Sequence, residues 1–163
     1  MNKTVIAILI LIALVIILAI ASFYSKPFFA ESGKKILTVY GEQSRTIGNQ
    51  TFEVGIADNA LTRAQGLSGR PPLGEREGLF FLFSSAGNYG FWMKGMNFPI
   101  DIVWINGDKV IGFSENLQPE PSKNIFNFSI YYPPGEADKV LEINAGAVKK
   151  YNLQIGDKIN LQK

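Results

Sequence analysis

Lys94 and Asp101 stand in FWMKGMNFPIDIVWI, the run from Phe91 to Ile105 that is mostly aromatic or aliphatic and holds both tryptophans. An unpaired ion taken out of water costs several kcal/mol or more, so these two charges belong at a strand end, in a cleft or against each other. Joined by Glu142, they would form a polar cluster in which the lysine orients a substrate and a desolvated carboxylate serves as general base. The competing reading, and the favoured one, is a salt bridge that closes a strand end. Arg63 and Arg70 flank Gly66-Leu67 in the run RAQGLSGR, where a guanidinium fork can hold a carboxylate or phosphate, although arginines in such loops more often bond carbonyls. Met93 and Met96 sit beside Trp92 and offer thioethers to Cu(I), but two methionines without histidine or cysteine favour core packing. Trp92 and Phe91, with Tyr131 and Tyr132, would make a platform for a sugar ring; core burial of Phe91 and Trp92 is preferred, with the Tyr-Tyr-Pro-Pro loop as the more exposed surface.

Composition narrows the chemistry further. The 163 residues include neither histidine nor cysteine, which removes Ser-His-Asp and Cys-His catalysis, the usual zinc ligand sets, thiol redox chemistry and lipid attachment through cysteine. Asp101, Asp108, Glu136, Asp138 and Asp157 do not fall at EF-hand spacing, and GLSGR lacks the Gly-Lys-Ser/Thr ending of a phosphate loop. No cofactor and no metal is expected. The formal net charge is +2 with no block of like charge, so no nucleic-acid partner is expected either. The length suits one domain with an extension.

That extension is at the N-terminus. Val5 to Ala21 is an unbroken apolar run after Lys3, and at 1.5 Å per residue it spans about 25 Å, the short end of a membrane crossing. Phe23 and Tyr24 suit the interface. Ala19-Ile20-Ala21 also fits a signal-peptidase site, so a cleaved secretory signal is the rival to an uncleaved anchor. The run exceeds the usual signal core, which favours the anchor, and both readings put the domain on the extracytoplasmic side of the cell membrane. The expected organisation is a membrane segment over 1–24, a linker and leader strand over 25–50, and a domain over 51–163.

The elements that must position the charged and aromatic residues are short. Ile36 to Tyr40 reads as an edge strand, and Thr51 to Ala57 alternates as a half-buried one. Asp58 is the expected N-cap of a helix over 59–65 that Gly66 ends. Leu79 to Phe83 has the continuous apolar character of a strand covered on both faces. Phe91 to Lys94 and Ile100 to Ile105 follow, and Asn106-Gly107 predicts a type I′ hairpin turn into Val110-Ile111. Leu117 to Pro134 is broken by prolines and reads as a flap. Lys139 to Ile143 is a strand, Asn144 caps a helix over 145–151 that Asn152 ends, and Gly156-Asp157 turns into Lys158 to Leu161. Many short strands and two short helices predict a mainly β, β-rich α+β domain, a compact sandwich or barrel behind an N-terminal transmembrane helix.

The segments GLSGR at 66–70, EGLFFLF at 77–83, FWMK at 91–94, YYPPGEAD at 131–138 and VLEINAG at 140–146 resemble domain of unknown function family 192 of bacteria and archaea. The resemblance covers about Thr51 to Leu161. It implies a compact, mostly β domain, often carried behind a signal or anchor, with no established activity. Members commonly follow Trp-Met-Lys with Asn-Thr, whereas this chain has Gly95-Met96. The leading functional expectation is a membrane-anchored module that binds a small molecule, glycan or peptide, with Lys94, Asp101, Glu142, Arg63, Arg70, Trp92 and Met93 as candidate ligand contacts. The alternatives are a hydrolase of an envelope polymer using Asp101 or Glu142, and a structural domain that docks a protein partner.

Overall fold

The computed structural model describes residues 12, 14, 15, 34–41, 49–120 and 128–162. The chain divides into two compact units, Met1–Ser32 and Gly33–Lys163. In the first, Ile12, Leu14 and Val15 are helical with exposed side chains. The rest of the expected membrane segment lies outside the described residues, and no helix among those described is long and apolar enough to cross a membrane.

In the second unit the order is β1 (Lys35–Tyr40), β2 (Gln50–Ala57), α1 (Ala60–Gln65), β3 (Glu77–Gly87), β4 (Phe91–Trp92), β5 (Ile100–Asn106), β6 (Lys109–Leu117), β7 (Ile130–Tyr131), β8 (Ala137–Asn144), α2 (Ala147–Lys150) and β9 (Lys158–Leu161). Seven strands close into a barrel in the order β1-β2-β3-β8-β5-β6-β9, and β4 and β7 pair as a separate ribbon. Only β2 and β3 run parallel among these pairs, with α1 as the crossover between them. The expectation of a mainly β domain with two short helices therefore holds, and the barrel is the form it takes. β1 is not an edge: it pairs with β2 on one side and β9 on the other, which closes the barrel.

Strand parity explains how one barrel carries two apolar layers. Leu37, Val39, Phe52, Val54, Phe80, Val103, Ile105, Leu141 and Ile143 pack together inside, closed at one end by Val148, Tyr151 and Leu153. Residues one position out of phase, Leu79, Phe81, Ile102, Trp104 and Val140, must face outward, yet they too are buried. β4 and the turn at Gly66 cover Phe81, and β4 also covers Trp104. Phe91 of β4 makes edge contacts with Phe81 at 4.9 Å and Trp104 at 5.4 Å, and Phe83 stacks on Tyr89 at 3.8 Å. This double coverage is why β3 and β5 read as continuous apolar runs instead of alternating ones.

Several local expectations shift by a residue or change donor. Asn59, not Asp58, caps α1: its side chain accepts from Thr62 N–H, and Thr62 Oγ1 accepts from Asn59 N–H. Gly66 ends that helix at φ 50°. The β5–β6 hairpin turns on Gly107-Asp108, since Asn106 still pairs with Lys109 and only Gly107, at φ 61°, is left-handed. Glycine at the first loop position is the type II′ pattern, not the expected I′. Asn144 does not cap α2. Its amide donates to the carbonyls of Leu73 and Gly74, while Gly146 is the N-cap residue and offers no side chain. Asn152 stops the following turn at φ 52°, as expected. Part of the flap from Leu117 to Pro134 is β7, which pairs with β4; residues 121–127 lie outside the described residues.

Candidate functional site

A groove of about 260 Å³ lies between the end of α1 and the ribbon strand β4. Its apolar surface comes from Leu67, Phe81, Phe83, Phe91, Trp92 and Met96, and its polar groups from Arg63, Gln65, Ser68 and Tyr89. The sequence places these residues here through three local devices. Gly66 turns the chain sharply and leaves room above Phe81, whose ring a Cβ at this position would approach to 3.7 Å. The loop that follows is tied to the Lys94–Asn97 turn: Gly69 N–H donates to Gly95 O at 2.7 Å, Ser68 Oγ to Lys94 O at 2.8 Å, and Asn97 Nδ2 to Arg70 O at 3.0 Å. Gly90 lets β7 lie close, because a Cβ there would come within 2.7 Å of Ile130.

Arg63 and Trp92 are the two expected contacts that the structure brings together in this groove. The Arg63 guanidinium donates from Nη1 to Leu82 O at 2.9 Å and sits 5.3 Å from the Phe83 ring centroid. Trp92 is half exposed, which corrects the expectation of core burial; Phe91 is the inward partner because ribbon residues alternate. Ile130 and Tyr132, on the same outer face as Trp92, are also about half exposed. The sugar-platform aromatics thus divide between the two faces of the ribbon.

Met93 and Met96 are buried, the packing alternative for this pair; Met96 lines the groove and Met93 does not. Arg70 lies outside the lining. Its Nε donates to Gly66 O at 3.0 Å, the carbonyl-binding role, and burial pulls its guanidinium down to about 10, so it stays charged at neutral pH.

The polar cluster of Lys94, Asp101 and Glu142 does not form. Lys94 is exposed, its Nζ 5.6 Å from the Phe128 ring, and its backbone bridges Glu120. Asp101 shares the inward parity of Val103 and is fully buried at the barrel end. Its two oxygens accept from Asn116 N–H at 2.8 Å and Val148 N–H at 3.0 Å, which ties β6 to the start of α2. Glu142 lies out of phase with Asp101 across the sheet, between Leu79 of β3 and Ile102 of β5. Its Oε2 is buried with no hydrogen-bond partner among the described residues, and burial pushes its carboxyl up to about 8. The apolar neighbours that suggested a paired charge instead hold one acid neutral and use the other as a backbone cap.

Sequence reasoning missed Phe81, Phe83, Tyr89, Gln65, Ser68 and Met96 as groove residues. The available signal was the excess apolarity of EGLFFLF, whose out-of-phase phenylalanines need a second layer to cover them.

No curated protein matches this chain. A protein of unknown function from Novosphingobium aromaticivorans has a similar crystal structure, with TM-score 0.70, 27% identity, and coverage of 83% of this chain and 93% of that one. A proposed transcription regulator from Sinorhizobium meliloti has a similar fold, with TM-score 0.71, 24% identity, and coverage of 82% and 97%. Residues 43–161 match domain of unknown function family 192, described as an uncharacterized ACR. The chain belongs to that family.

Proposed function

We propose that this protein is a membrane-anchored, extracytoplasmic module whose groove binds the apolar part of a small ligand. The observation that supports it is the open, aromatic lining between α1 and β4, with Trp92 half exposed at its edge. A well-packed outer layer has no need of such an opening, and small-ligand sites are typically apolar concavities with a few polar groups. A glycan would need more convergent hydrogen-bonding groups than Arg63, Gln65, Ser68 and Tyr89 provide. The hydrolase alternative requires a carboxylate at the groove, and none of the lining residues is one. Asp101 is occupied by two backbone donors, and Glu142 is sealed beneath the cover. The anchor part of the proposal rests on the apolar run Val5 to Ala21.

A fragment screen by thermal stabilisation of the full chain tests the groove, with hits repeated on Ala64→Trp. Ala64 is an exposed lining residue, so the indole obstructs the groove without entering the core. Apolar fragments should stabilise the wild type and lose their effect on the variant. Equal stabilisation of both proteins would remove the groove as the site. Membrane fractionation with N-terminal sequencing tests the anchor, and a soluble mature protein beginning at Ser22 would remove it.

A further inference from the structure

We infer that the ligand is a small amphipathic anion, an aryl or short alkyl body with an oxyanion head that pairs with Arg63; this deepens the binding reading above and rests on it. Arg63 is the one formally charged residue among those lining the groove, and no aspartate or glutamate shares the lining. Four lysines, Lys34, Lys139, Lys149 and Lys150, each pair with a carboxylate, whereas Arg63, like Lys94 and Arg76, has no carboxylate partner among the described residues. Among the described residues the guanidinium makes one hydrogen bond, from Nη1 to Leu82 O, which leaves further N–H donors of the fork available. The bond and the Phe83 ring hold the guanidinium in place, so little side-chain freedom remains to be lost when an anion arrives.

The helix end beside it would ordinarily oppose an anion, because free carbonyls carry partial negative charge there. Here several carbonyls at this end are engaged. Thr62 O accepts from Gly66 N–H, Gln65 O from Ser68 N–H, Leu67 O from Arg70 N–H, and Gly66 O from Arg70 Nε. Arg70 therefore places a second positive charge behind the loop. A cavity of roughly 150 Å³ accepts benzene, so about 260 Å³ holds an aryl or short alkyl body with its head.

The test is titration of the full chain with 3-phenylpropanoate, 2-phenylethylphosphonate and the neutral 3-phenylpropan-1-ol, followed by tryptophan fluorescence, since Trp92 lines the groove. At least one anion should bind about tenfold or more tightly than the alcohol, and which of the two does so identifies the head. Arg63→Gln should bring anion and alcohol to equal affinity. Arg63→Lys, which keeps the charge but not the fork, should retain part of the preference even if the glutamine variant fails to fold. Equal binding of anions and alcohol to the wild type would overturn the anion and leave the groove standing. Binding of none of the probes would overturn both readings, and a preference that survives Arg63→Gln would overturn Arg63 as the contact.

Discussion

Glu142→Gln should stabilise this protein at alkaline pH and not at acid pH. Burial raises the Glu142 carboxyl from 4.5 to about 8, with no ion pair or hydrogen bond to Oε2 among the described residues to offset it. Folding near neutrality therefore requires proton uptake by a group that is ionised in the unfolded chain. The folded form binds the extra proton between about pH 4.5 and pH 8, so stability is greatest below that window, falls as pH rises through it, and levels above it. At about 1.4 kcal/mol per pH unit, the interval from 4.5 to 7 corresponds to roughly 3 kcal/mol as an upper figure. Glutamine stays neutral throughout, but its amide donors enter an apolar site and forfeit about 1–3 kcal/mol. The variant should fall about 1–3 kcal/mol below the wild type at pH 4.5 and gain on it by about 4 kcal/mol on reaching pH 8. Urea unfolding of the full chain in mild nonionic detergent reads this as a relative midpoint shift of about 1–2 M. Parallel pH dependences for the two proteins would refute the claim that Glu142 is buried as the neutral acid.

Lys94 and Asp101 should behave as unrelated residues. Lys94→Met should change stability by less than about 0.5 kcal/mol, as exposed substitutions do, whereas Asp101→Ala should cost about 2–5 kcal/mol by orphaning the N–H groups of Asn116 and Val148. A double-mutant cycle by denaturant unfolding should give a coupling near zero, and rescue of Asp101→Ala by Lys94→Met would contradict the separation. Gly107→Val should destabilise by more than about 1 kcal/mol, because φ 61° at the first loop position is strained for a β-branched residue; an unchanged unfolding midpoint would contradict this turn geometry.

The fold was largely legible because periodicity and punctuation agree along this chain. Gly66, Asn152 and Gly156 mark turns that the structure places at positive φ, and the apolar runs at 79–83 and 100–105 are strands covered twice. What was not legible depended on which face a residue takes. Asp101 and Glu142 lie on neighbouring strands with partners only one position apart, Asp101 opposite Ile143 and Glu142 opposite Ile102, so parity sends them to opposite sides of the sheet. Read as a linear run, FWMKGMNFPIDIVWI suggests a charge pair; the irregular turn at Gly95, φ 70°, sends Lys94 to the surface instead. Capping failed for a similar reason. Asn144 and Asp58 have suitable side chains, but Asp101, distant in sequence, reaches the Val148 N–H at α2, and Asn59 stands one residue nearer α1. The groove needed the ribbon β4–β7, whose pairing of Phe91 with Tyr131 spans a separation that no local pattern encodes.

The most direct test of the groove uses the three methionines as reporters, because Met96 lines it, Met93 is buried outside it and Met1 is remote in sequence. The full chain carrying methyl-¹³C methionine should be titrated with 3-phenylpropan-1-ol, a neutral probe that leaves the charge question aside. A saturable shift of the Met96 methyl signal, with Met1 unmoved and the response lost in Ala64→Trp, is the predicted result. A Met96 signal that stays fixed at saturating probe, or moves equally in Ala64→Trp, would contradict a ligand-binding groove between α1 and β4.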